Sequence, residues 1–439
     1  MSVSSPAFTI LRRSVVGMEN EWIKMWDPPT ASPPTNEYVA PTNPVPAFVA
    51  ATVPGATMTI PNTVKVTLLH GTVIPMWDGK NVGFFTIGDG NVPAASAGIW
   101  PGPTIRVPRG SIYHAQTAAG GPPPHTIHWH GIEPTPMNDG VGHCSMELGT
   151  YTYQWQPNFI GSYFYHCHRN TMQHFEFGLY GFLIIEPPDA YTAGGGNNPG
   201  GYPRRTAANL AKFPLFPGFV AGDIASGDPH AYTVPYDVEA LWVLDDVDSV
   251  WRTKMANAKA TFPSMLLPVA PATAPIGHPG LDDVFLKGDF HDFNPDYFFV
   301  TGAPFPGPVG STVACAPNIT VPAAFNSGVT GMQVSVNARV NQTILIRALC
   351  AAYVGVKITF PVDVVIIAHD GRAHGVPPLA QYNQAFLLRA GTPYELSTAR
   401  RFDALIRSTV PIDSFANVEF RHNRNDAFLM NGRIPITIR

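Results

Sequence analysis

Two short segments constrain this chain more than anything else in it. Pro124-His125-Thr126-Ile127-His128-Trp129-His130-Gly131 and Tyr165-His166-Cys167-His168 hold five histidines and a cysteine, and His174 follows six residues later. Side chains of an extended strand alternate between its two faces. Cys167 therefore points to one side, while His166 and His168 point together to the other. His128 and His130 likewise share a face, three and five residues beyond His125. Such a pattern builds two metal sites back to back, joined through one cysteine. A thiolate with two imidazoles suits copper that shuttles electrons, and an all-imidazole group suits copper that binds a small oxidant. Six of the 15 histidines fall in this stretch.

The remainder of the sequence reads as all-β. Only 13% of residues are charged, whereas Gly (40), Pro (46) and aromatics (11%) are abundant, as in a loop-rich β protein. A length of 439 residues accommodates two or more substantial cores. A net charge of -4 argues against nucleic acid as a partner. No apolar run of about 18 residues predicts a membrane span. Arg12-Arg13 is followed by no apolar core of a signal peptide, so the chain reads as cytoplasmic, or as periplasmic or secreted if a signal has been trimmed. Cys144, Cys315 and Cys350 read as buried thiols, since four cysteines are too few for a disulfide scaffold at this size.

Residues 1–55 read as an irregular N-terminal extension and residues 56–189 as a first β domain carrying the metal segments. Residues 190–234 read as a Gly-rich linker, and residues 235–439 as a second β domain opening at Tyr236–Leu244. Alternating short strands with turn signals predict two Greek-key sandwiches or barrels. The segment from Arg252 to Ala260 reads as a short helix.

Pro101-Gly102-Pro103-Thr104-Ile105-Arg106, His128-Trp129-His130-Gly131, Asp139-Gly140 and Gly178-Leu179-Tyr180-Gly181 resemble the multicopper oxidases, laccase-like proteins of the cupredoxin fold. The resemblance implies a type 1 copper at His125, Cys167 and His174, with Leu179 at the axial position. It implies a second site, a type 2 copper or a type 2/type 3 cluster, on His128, His130, His166 and His168. Arg421-His422-Asn423 with Asp426-Ala427-Phe428 resembles the two-domain copper nitrite reductases, in which this histidine reaches into a neighbouring subunit. Ala368-His369-Asp370-Gly371 falls where that group keeps a histidine beside its catalytic copper, and Asp139 stands as a candidate proton carrier. The resemblance covers roughly residues 60–439. Four histidines on one face of the first domain need ligands from elsewhere, and supply by the second domain of a neighbour in a closed head-to-tail ring predicts a homotrimer with copper sites between subunits.

Departures from the pattern are specific. The Cys167–His174 loop is two residues longer than in laccases, and Met172 stands where their histidine would fall, making it the alternative axial neighbour. Leu179 fits the register better. After residue 168 no His-x-His pair occurs, so the second domain offers only His422 and His369 toward a complete cluster. His128 stands where nitrite reductases keep an aspartate. His70, His114, His143, His230, His278, His291 and His374 lack a partner at ligand spacing and read as surface or core residues.

The sequence thus predicts a copper oxidoreductase that takes electrons from a small reductant or redox protein and passes them to O2. Reduction of nitrite to nitric oxide is the alternative, and a copper-binding electron carrier without turnover is a third reading.

Overall fold

The computed structural model describes residues 62–89, 98–109, 113–119, 125–132, 134, 138–141, 150–157, 159–168, 171–187, 204–222, 231–254, 293–315, 320–321, 332–377 and 383–439. The N-terminal stretch 1–55, Cys144, His143, His230, His278 and His291 lie outside them. The protein is all-β, and its long strands pair into four main sheets.

Among the described residues, the first sandwich is built from eight strands: β1 (Asn62–Pro75), β2 (Asn81–Asp89), β3 (Gly102–Pro108), β4 (Tyr113–Ala119), β5 (His128–His130), β6 (Thr150–Trp155), β7 (Gly161–His166) and β8 (Tyr180–Glu186). One sheet runs β2-β1-β4-β6 and the other β3-β8-β7-β5. Within them β1 pairs parallel with β4, and β3 parallel with β8, while the other neighbours are antiparallel. Parallel neighbours cannot be joined by hairpins, so the chain crosses between the sheets, as the Greek-key expectation required.

The second sandwich places an eight-stranded sheet against a six-stranded one. The centre of the larger sheet is Val238–Val247, Ile344–Cys350, Arg401–Ile406 and Val364–His369. The smaller is centred on Ile412–Arg421 and Phe428–Ile438, a long antiparallel hairpin. Residues Trp242, Phe298, Ile346, Ile366, Val418 and Ile436 fill the space between the two sheets. Cys315 and Cys350 are buried free thiols.

Sequence parity on β7 and β8 fixes what lies on each side of the sheet that carries the metal segments. Tyr163, Tyr165, Cys167, Leu183 and Ile185 pack into the first sandwich with Val64, Ile105, Trp129 and Trp155. Phe164, Phe182 and Ile184 face the other way, onto Leu241, Val243, Phe299 and Leu349 of the second sandwich. Both faces of β7 are therefore buried, which is why Gly161–His166 reads as a nearly continuous aromatic run instead of alternating with polar residues.

Ionic contacts tie the same junction. Arg347 Nη1 donates to Ser162 Oγ on β7 at 3.0 Å and pairs with Asp403 at 3.2 Å. Arg106 Nη1 donates to Glu186 at 2.9 Å and the guanidinium also pairs with Glu239, which Arg347 Nε reaches at 2.7 Å. Burial penalises these charges, but their mutual neutralisation holds the Glu239 carboxyl down at about 2.

Two local expectations are refined. The linker is not irregular throughout: Arg205–Ala207 and Thr233–Pro235 form a two-stranded ribbon, and Ala208, Leu210 and Phe216 cover Leu345 and Ile367. The helix expected from Arg252 starts earlier, at residue 249, because Asp248 Oδ1 caps it by accepting the Val250 and Trp251 N–H groups at 2.8 and 2.9 Å. Residues after 254 lie outside the described segments up to 293. Among the described residues, no helix is long and apolar enough to cross a membrane.

Candidate metal centre

A single strand pairing separates the ligand residues into two groups. On β5 and β7, His128 lies opposite His166, Trp129 opposite Tyr165, and His130 opposite Phe164. Directly opposed residues share a face, so His128, His130 and His166 project together on the side of the sheet turned toward the second sandwich. Residues of the other parity, Trp129, Tyr165 and Cys167, enter the core of the first. The strand ends at His166, but Cys167 keeps the alternation.

On the core side, His125, Cys167 and His174 bring their ligand atoms within 4.8 Å of one another, all three buried. Cys167 Sγ is 3.1 Å from His174 Nδ1 and 3.7 Å from His125 Nδ1. The two rings stack at 4.6 Å. His174 is carried by a short helix, Thr171–Glu176, which absorbs the longer loop noted in the sequence. The helix stops at Gly178, whose φ of +100° suits glycine and whose Cβ, if present, would sit 2.2 Å from Trp100 Cδ1. Leu179 follows: its N–H donates to the His174 carbonyl and its carbonyl accepts the Cys167 N–H, both at 2.9 Å, and its side chain packs in the same core as Cys167. The Met172 side chain lies outside those described.

On the opposite face, His128, His130 and His166 place their ligand nitrogens within 4.8 Å of one another. His130 Nδ1 and His166 Nε2 are 3.3 Å apart. His168 is half-buried at the margin, with its ring centroid 5.3 Å from His128 and 5.5 Å from His166. Burial lowers the His166 and His168 pKa values, and it takes His130 down to about 3 with help from the nearby Arg401 charge. These imidazoles are neutral at ordinary pH, the form that ligates metal.

Backbone contacts orient the rings. His166 Nδ1 donates to the Cys167 carbonyl at 3.0 Å, leaving Nε2 turned toward His130. His128 Nδ1 lies 2.6 Å from the Asp139 carbonyl and 3.2 Å from its carboxylate, so Asp139 fixes this ring. Two residues from the second sandwich complete the surroundings, and neither was singled out in the sequence. Arg401 Nη2 lies so close to Gly131 that a Cβ there would meet it at 2.9 Å, and the guanidinium covers Phe164 at 5.2 Å. Asp370 pairs with Arg401 at 3.3 Å.

His369 and His422 lie outside both groups. His369 closes the strand Val364–His369 and faces His374. His422 sits at the turn between Ile412–Arg421 and Phe428–Ile438, where its Nδ1 accepts the Arg424 N–H at 3.2 Å.

Residues 90–190 match the family model described as multicopper oxidase. Over these residues the chain is similar to the multicopper oxidases. It is 38% identical to an L-ascorbate oxidase of Cucumis sativus over 109 residues, 23% of this chain and 18% of that protein. It is 36% identical to laccase abr2 of Aspergillus fumigatus over 96 residues, 20% of this chain and 16% of that protein. These matches thus span less than a fifth of either relative. Among solved structures, a blue copper oxidase from Nitrosomonas europaea aligns over 86% of this chain and 85% of its own, at 17% identity and a TM-score of 0.48.

The donor sets suit copper. One buried thiol with two imidazoles is a soft set of three donors, and three imidazoles form a borderline one.

Proposed function

We propose that this protein is a copper oxidoreductase that oxidises a small organic reductant and reduces O2. His125, Cys167 and His174 would hold a type 1 copper, with Leu179 packed in the same core beside them, and His128, His130, His166 and His168 would hold the second copper site. Copper bound there would supply one-electron redox chemistry at the first group and a binding place for the oxidant at the second. The observation that carries this reading is the placement of the two groups on opposite faces of one strand, with Cys167 in one and its covalent neighbour His166 in the other. The chain itself thus provides a path of a few bonds between them.

The protein's own side chains have distinct tasks. The Asp139 carbonyl and carboxylate orient His128 and place a proton carrier at the edge of the group. Arg401, braced by Asp370, sets positive charge beside His130, which favours a reduced, negatively charged oxygen species over a neutral one. Trp129 and Tyr165 seal the core behind the histidines.

Because, among the described residues, the second sandwich sends no histidine into the group, a neighbouring copy is the natural source of further ligands. His422, on its hairpin turn, is the residue we assign to that role in a closed homotrimer. Three imidazoles with an adjacent carboxylate also support a second reading, a single copper reducing nitrite. Copper analysis, visible spectroscopy and oxygen uptake with a phenolic donor test the proposal together. The expected result is an intense visible band, more than one copper per chain and oxygen consumption exceeding nitrite turnover. A colourless protein, or one copper at the imidazole group with brisk nitric oxide production, would overturn it.

A further inference from the structure

His374 reads in the sequence as a residue without a partner at ligand spacing, and the fold sets it beside His369. The strand Val364–His369 turns at Asp370-Gly371, both at positive φ (+49° and +76°), into Arg372–Ala373. Two consecutive positive-φ residues make the tight hairpin turn for which Asp-Gly is a preferred sequence. His369 lies opposite Arg372 and Ala368 opposite Ala373. One step further, the His374 N–H donates to the Ile367 carbonyl at 2.7 Å. His369 is opposed to Arg372, and residues 372 and 374 alternate back to one face, so His374 becomes the diagonal neighbour of His369 on that face.

The two imidazoles meet edge to face, with His369 Nδ1 and His374 Nε2 3.1 Å apart. That separation is close to the 3.3 Å between His130 and His166. Two nitrogens each about 2 Å from one ion span such a distance when the angle at the metal is near tetrahedral. Tyr394 stacks on His369 and Phe386 on His374, which holds both rings in place. Burial disfavours protonation of either ring, so each ring keeps one lone pair, and the N–H that one donates to the other moves to its outer nitrogen when both bind one ion. Phe386 is 37% exposed and His369 only half-buried, so the pair is open to solvent from one side. The neighbouring Asp370 carboxylate is occupied by Arg400 and Arg401, which leaves water to fill the remaining coordination positions.

We infer that His369 and His374 form an additional, exchangeable site for a transition-metal cation of imidazole preference, copper or zinc, separate from the two groups on β5 and β7. Two protein ligands completed by water release a metal more readily than a closed four-ligand site does, so this site suits transient loading of a cation instead of permanent structural use.

The test titrates metal-free protein with Zn2+ against a chromophoric chelator and compares wild type with His369→Gln and His374→Gln. Each variant should take up one ion per chain fewer than wild type, with the remaining uptake unchanged. Equal stoichiometry in all three proteins would overturn the site. His374 is buried, so thermal melts accompany the titration, and His369→Gln stands as the milder arm. In wild type, the imidazole 15N resonances of His369 and His374 should shift on adding Zn2+, and unchanged resonances at saturating Zn2+ would equally overturn the assignment. Failure of the copper groups would remove the other ions and leave this difference of one intact.

Discussion

Arg252, on the short helix after Val238–Val247, donates from Nε to Glu176 Oε1 at 3.1 Å, two residues beyond His174. A second guanidinium nitrogen reaches the Glu176 carbonyl and a third the Gly83 carbonyl. The guanidinium also lies over the rings of Phe84 and Phe177, at 4.3 and 4.8 Å. The second sandwich thus grips the loop that presents His174. Burial pushes the Glu176 carboxyl well up, and Arg252 opposes that shift. Arg252→Met would leave a carboxylate buried without its partner, a change that costs about 3–5 kcal/mol. Denaturant unfolding of the metal-free protein should show that loss, and adding Glu176→Gln should recover a good part of it. A loss below about 1 kcal/mol would mean that the clamp contributes no more than an exposed ion pair.

Cys167 carries the visible colour if it binds copper. Cys167→Ser should abolish the intense band while copper remains on the imidazole group, measured by absorbance and metal analysis on one sample. A variant that stays blue would remove Cys167 from the site. Leu179→Met offers a thioether where the wild type offers only carbon, so the band should persist and the potential should fall. Redox titration checks the direction, and an unchanged potential would return attention to Met172.

Much of the first sandwich was legible because its signals are local. Strand alternation alone sorts His128, His130 and His166 from Cys167, and His125 and His174 follow within a few residues of each segment. The second sandwich's contribution was not legible, for a physical reason. Arg401, Asp370 and Arg252 reach the site through tertiary packing, and nothing in their immediate sequence distinguishes them from ordinary surface charges. His374 is a different case. Its pairing with His369 was available from the Asp-Gly turn between them, which places positions 369 and 374 diagonally on one hairpin face, but ligand spacings of two or three residues do not find it. His422 was legible only as a resemblance, and within one chain it touches neither group.

Asp139 and Gly140 make separable demands on the imidazole group. Gly140 has φ +72°, and a Cβ there would lie 1.7 Å from the Ile127 carbonyl oxygen. The backbone carrying Asp139 can approach His128 so closely only because residue 140 lacks a side chain. Gly140→Ala should therefore destabilise by about 2 kcal/mol or more and reduce metal uptake by the imidazole group. Asp139→Asn retains the carbonyl that accepts from His128, and its side chain is partly exposed. Its stability should change by less than about 1 kcal/mol, while the pH profile of oxygen uptake changes shape. Equal thermal shifts for the two variants would refute this division.

Asp245 gives a pH dependence whose sign can be worked out. It lies on Val238–Val247, and Oδ2 accepts the Tyr180 hydroxyl at 2.5 Å across the junction between the sandwiches. Burial raises its pKa from 3.8 to about 6, with the Tyr180 hydrogen bond and the Arg252 charge only partly offsetting that rise. The folded protein therefore holds a proton on Asp245 between pH 4 and 6 that the unfolded chain has released. A state that binds the extra proton loses relative stability as pH rises. The stabilisation is fully present below about pH 4 and is lost on passing pH 6. A shift of this size is worth on the order of 3 kcal/mol. The depressed histidines act in the opposite direction, so the informative quantity is the difference from Asp245→Asn, which preserves shape and an acceptor for Tyr180 without titrating. Unfolding free energies of the metal-free proteins from pH 4 to 7 should show wild type losing ground to the variant across the window and holding level above it. A constant difference across that range would mean that Asp245 titrates near its ordinary value in the folded protein, and that the junction is wetter than its packing indicates.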